Sequence, residues 1–64
     1  MDDQTGHAVL EELNDVARNC NAAYEAVNTR AATPEQIRAR VTSMREHLTR
    51  VEQHLINDTV LRSV

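Results

Sequence analysis

The chain has 64 residues, with seven basic side chains, all arginine, against ten acids, a net charge of −3 and one cysteine. A chain this short forms one domain with a thin core, burying only about 60% of the surface its unfolded form exposes. A single cysteine excludes an intrachain disulfide, and the acidic balance excludes a global attraction to nucleic acid or an anionic membrane.

The first element is a helix expected over about residues 3–28. Asp2, Asp3 or Thr5 can accept hydrogen bonds from its free amides, and the acids suit the positive end of its dipole. Val9, Leu13, Val16, Cys20, Ala23 and Val27 recur at alternating spacings of four and three, the period that keeps one helical seam facing a partner. Cys20 lies within that stripe, where a thiol behaves as a small hydrophobe. Asn28 is the expected left-handed cap, followed by a loop over about residues 29–33. Thr33-Pro34-Glu35-Gln36 then combines a capping Thr, Pro at the first helical position and Gln three residues after the Thr, so a second helix is expected over about residues 34–62. Its stripe is Ile37, Val41, Met44, Leu48, Val51 and Leu55, with the same spacing.

Folding the chain at the loop pairs the two stripes where residue numbers sum to 64, from Val27 with Ile37 to Val9 with Leu55. The expected fold is therefore all-α: residues 1–64 form a single domain, an antiparallel helical hairpin of two long helices. Helix 1 has more apolar surface than one partner helix covers, because Leu10, Ala17 and Tyr24 recur every seven residues beside its seam. Helix 2 flanks its seam with Arg38, Arg45 and Glu52 on one side and Arg40, His47 and His54 on the other. A second copy completes the core, giving a dimeric four-helix bundle with Leu10, Ala17 and Tyr24 at the dimer interface.

The repeat fails near the C-terminus, where Asp58 and Arg62 fall at seam positions and the apolar residues move to Ile56, Val60, Leu61 and Val64. These four are the candidate anchor for a larger protein, with packing across the dimer as the alternative. Arg30, Arg38, Arg40, Arg45 and Arg50 are the nucleic-acid candidates; residues 33–64 carry a net +1 and residues 1–32 a net −4. No aromatic lies among these arginines to stack a base, and the same asymmetry lets one helix attract the other. His47 and His54 stand two turns apart and, with His7, match no metal-ligand spacing, so neither metal nor cofactor is expected.

No acid–base pair, phosphate-cradling glycine loop or pocket-forming topology points to an enzyme. The expected function is that of a small regulator or adaptor acting by protein–protein binding through the helical faces of a homodimer. RNA or DNA binding through helix 2, and a structural role as an oligomerisation subunit, are the alternatives. Met1-Asp2-Asp3-Gln4 lacks the basic and apolar regions of a signal peptide, and no run approaches a membrane span. The expectation is a cytoplasmic protein of bacterial or phage type with no membrane partner.

Overall fold

A computed structural model describes residues 1–62, with side chains through Val60. Helix α1 spans Asp3–Asn28 and helix α2 spans Pro34–Arg62; they pack against each other as a hairpin measuring 51 × 17 × 10 Å. Leu61 and Val64, two of the anchor candidates, lie outside the described side chains.

Both helices begin on side-chain caps. The Asp2 carboxylate accepts from the Thr5 amide at 2.7 Å, satisfying one of the amides that a helix start leaves unpaired. At the start of α2 the bonds are reciprocal: the Gln36 amide donates to Thr33 Oγ1 at 3.3 Å, and the Thr33 amide donates to Gln36 Oε1 at 3.0 Å. Pro34 follows the Thr, where its missing N–H costs nothing.

The turn corrects one expectation. Asn28 is the last helical residue, and the left-handed position falls on Arg30, with φ of 59°. Two bonds explain the shift: the Arg30 amide donates to the Val27 carbonyl at 3.1 Å and the Ala31 amide to the Ala26 carbonyl at 2.9 Å. Together they form the Schellman arrangement, which places the left-handed residue one beyond the cap. Thr29 is that cap, and its hydroxyl adds a bond to the Glu25 carbonyl at 2.8 Å.

The second correction concerns the seam. Along α1 the residues turned toward α2 are Thr5, Val9, Glu12, Val16, Asn19, Ala23 and Ala26; Leu13, Cys20 and Val27 are exposed. Val9, Val16 and Ala23 belong to the expected stripe, but its other half has been exchanged for a largely polar row. At about 100° per residue, that exchange turns the contact face by about 50° from the centre of the apolar stripe. Helix α2 keeps Ile37, Val41, Met44 and Val51 of its stripe buried or half-buried, joined by Ser43, His47, His54 and Asp58, while Leu48 and Leu55 are exposed. The break expected at Asp58 does not end the seam, since Asp58 is buried against α1 and Thr5 Oγ1 donates to it at 3.4 Å.

The physical reason is geometric. A four–three repeat marks the middle of the whole apolar arc of a helix. In a two-helix coil that middle points at the partner; here the contact lies to one side of it, where Glu12 meets His47 and Arg50 across the helices.

Candidate interaction surface

The hairpin has two unlike faces. Its inner face is laddered by polar contacts. Midway along, Glu12 on α1 meets His47 and Arg50 on α2, one turn apart. Arg50 Nε donates to both Glu12 oxygens at 3.1 Å, and His47 Nδ1 stands 2.5 Å from Glu12 Oε2. The Glu12 and His47 side chains are only 19% and 18% exposed, so neither is an ordinary surface side chain. The bond from His47, with help from Arg50, holds the Glu12 carboxyl below the usual glutamate range. With Glu12 ionised, His47 donates from Nδ1; the Arg50 Nη2 at 2.9 Å is then a close neighbour of that nitrogen and not a second donor to it. Asp15 flanks the histidine at 3.9 Å. Toward the loop, Arg40 Nη1 donates to Asn19 Oδ1 at 3.3 Å.

These contacts redistribute the candidate residues. All five arginine candidates are exposed; of these, Arg40 bonds Asn19 and Arg50 bonds Glu12 across the hairpin. Of the histidines, His47 alone is tied across the hairpin by the bonds above; His7 pairs along its own helix with Glu11 at 3.0 Å. Among the described residues no group of three or more His, Cys, Asp or Glu side chains is placed to hold a metal ion. No described helix is long and apolar enough to cross a membrane.

The outer face is apolar and open. Leu10 is 66% exposed, Tyr24 72% and Val27 59%, and Leu13, Leu48 and Leu55 are also exposed. Buried apolar residues number only Val9, Ala23 and Val51 among those described, and none of these side chains is fully enclosed. Between the helices near the loop, Cys20, Ala23, Tyr24, Val27 and Met44 line an open groove of about 400 Å³. A second groove, of about 470 Å³, lies at the other end of α1 and is lined by Met1, Asp2, Asp3, Gly6, His7 and Leu10. Cys20, expected within the core, is an exposed free thiol on this outer face. The area is consistent with an incomplete core: the chain exposes 5146 Å², about 1,000 Å² more than the roughly 4,100 Å² of a compact 7.2 kDa monomer.

Ile56 and Val60 continue the exposed apolar surface of α2 beside Leu55. They stand four residues apart on α2, 54% and 57% exposed, and line a small groove with Leu55 and Thr59.

Sequence reasoning missed the polar ladder, because Glu12, Asn19 and His47 each read as surface residues of an amphipathic helix. The one available signal was register: a pairing sum near 64 sets Glu12 beside Arg50 and Thr5 beside Asp58. No family model, curated protein or solved structure matches the chain.

Proposed function

We propose that the protein is a non-enzymatic homodimer, a four-helix bundle that acts as a regulator or adaptor by protein–protein binding. The observation that carries this reading is the open apolar face, turned about 50° from the hairpin contact. Leu13, Cys20, Val27, Leu48 and Leu55 then lie on the side where a bundle axis runs, with Leu10, Ala17 and Tyr24 along the edge of α1 beyond it. The excess exposed area, about 1,000 Å², is of the size that one partner contributes to a stable interface.

The dimer is a scaffold. Ile56 and Val60 lie on α2 outside its apolar seam, and four-residue spacing presents them together, as an anchor for an apolar groove on a larger protein. Nucleic-acid binding is the weaker reading, because Arg40 and Arg50 are engaged within the hairpin.

The test compares wild type with an Ile56→Glu, Val60→Glu variant as affinity baits in nuclease-treated host extract. The expected result is a protein partner that resists nuclease and 0.3 M salt and is lost with the variant, while both baits remain dimeric. Association that disappears with nuclease, or steeply with salt as phosphate contacts do, would overturn the reading in favour of nucleic acid.

A further inference from the structure

A closed two-fold bundle made from two hairpins has two arrangements. With the dyad along the bundle axis, both loops lie at one end and α1 packs beside α2 of the other copy. With the dyad across the axis, the loops lie at opposite ends and α1 packs beside α1, α2 beside α2. We propose the second: each copy lays its Tyr24 into the groove of Met1, Asp3, Gly6, His7 and Leu10 on the other, and Arg45 of each meets Glu52 of the other. This inference rests on the dimer proposed above and specifies its geometry.

The flanking positions decide between the arrangements. On α1 the edge beyond the core carries Asp3, Leu10, Ala17 and Tyr24, one every seven residues; on α2 it carries Arg38, Arg45, Glu52 and Thr59. With loops together, these edges meet each other. The hairpin's own register, in which Glu12 bonds Arg50, would set Leu10 against Glu52, Ala17 against Arg45 and Tyr24 against Arg38. The most exposed apolar side chains would then be covered by charged ones. With loops apart, each edge meets its own copy in reverse. Numbers summing to 27 place Leu10 beside Ala17 and Tyr24 beside Asp3; numbers summing to 97 place Arg45 beside Glu52 and Arg38 beside Thr59. Apolar edge meets apolar edge, and the charged edge becomes self-complementary.

The two registers share one dyad. Their midpoints fall between Leu13 and Asn14 on α1 and between Leu48 and Thr49 on α2. The hairpin's cross-helix side-chain bonds join residues whose numbers sum to 59, 62 or 63, so these heights agree to within about three residues.

Gly6 adds an independent observation. It lies in the first turn of α1, and a Cβ there would meet only Met1 Sδ at an unstrained 3.8 Å. Nothing in its own chain requires the glycine. In the proposed dimer its bare backbone floors the groove that receives the tyrosine ring, with Asp3 and His7 placed to bond the hydroxyl, as a buried tyrosine requires.

The experiment is pulsed electron–electron distance measurement on Glu35→Cys in a Cys20→Ala background, spin-labelled and kept as the full-length dimer. Residue 35 lies 13 to 14 residues from the dyad along α2, so loops at opposite ends separate the two labels by about 40 Å at 1.5 Å per residue. Loops together place them across one bundle, under about 25 Å, given interaxial distances of 8–10 Å. A distance near 40 Å is expected; one under 25 Å would overturn the arrangement and leave the dimer standing. Sedimentation of the same sample at monomer mass, with no coupling between labels, would instead remove the dimer reading. A charge exchange gives a second test. Arg45→Glu or Glu52→Arg alone weakens dimerisation about tenfold through two like-charge contacts, while the combined exchange restores it. Failure of the combined exchange to restore affinity would contradict the Arg45–Glu52 pairing.

Discussion

The inner and outer faces of the hairpin divide the work of folding differently from what their composition suggests. The inner face, already paired, carries Glu12, His47, Arg50, Asn19 and Asp58 alongside Val9, Val16, Ala23, Ile37, Met44 and Val51. The outer face, open in the single chain, carries Leu10, Leu13, Tyr24, Val27, Leu48 and Leu55. Polar contacts are geometrically selective and weak in net energy, whereas apolar burial is strong and indifferent to register. The hairpin contact therefore sets alignment, and in the proposed dimer the outer face supplies the larger apolar burial.

The largest expected effect tests the outer face. In the proposed dimer Leu13→Glu places a charge at the bundle axis in both copies, and the expected result is loss of the dimer at micromolar concentration, with a collapse of the helical circular-dichroism signal, because the separated hairpin would have too small a core to persist. Retention of a helical dimer would refute the assignment of that face. On the inner face Val51→Ala removes part of one of the few buried apolar side chains. A destabilisation of about 1–2 kcal/mol is expected in denaturant titration, smaller than the Leu13 effect because less surface is involved.

The start of α2 comes next. Thr33→Ala removes the oxygen that caps the Gln36 amide and is expected to cost about 1 kcal/mol without changing the assembly; thermal melts at fixed chain concentration measure it. Glu12 gives a pH-dependent test. Its folded carboxyl is held below the ordinary range near 4.5, so the stability it contributes is present in full above that range and is lost as pH falls through the lowered value. The melting difference between wild type and Glu12→Gln should therefore shrink as pH falls from 6 to 3. A difference that stays constant would show that the carboxylate charge is not what the inner face uses. The smallest effect belongs to Ile56→Ser, which should change stability by no more than about 0.5 kcal/mol; a larger loss would move that patch into the bundle.

Much of this was legible in the residue order. The capping Thr33, the Pro after it and the four–three repeat are local signals with direct backbone consequences, and they sufficed for an antiparallel helical hairpin. The direction in which each helix faces was not legible to the same degree. A repeat reports the middle of an apolar arc, and the neighbour's position on that arc depends on how many helices share the core. Glu12, Asn19 and His47 could not be distinguished from solvent-facing residues one at a time; only the cross-helix register brings them together. Asp58 looked like the end of the seam because a carboxylate at a core position reads as an interruption, and its bond from Thr5, 53 positions away in the chain, is invisible to any local pattern.

A second copy is proposed to cover the outer face. Sedimentation equilibrium across a hundredfold range of concentration, with helicity followed in parallel, tests it most directly. A species of twice the 7.2 kDa chain mass is expected, with helicity falling as dilution produces monomer. A fully helical 7.2 kDa species at every concentration would contradict it.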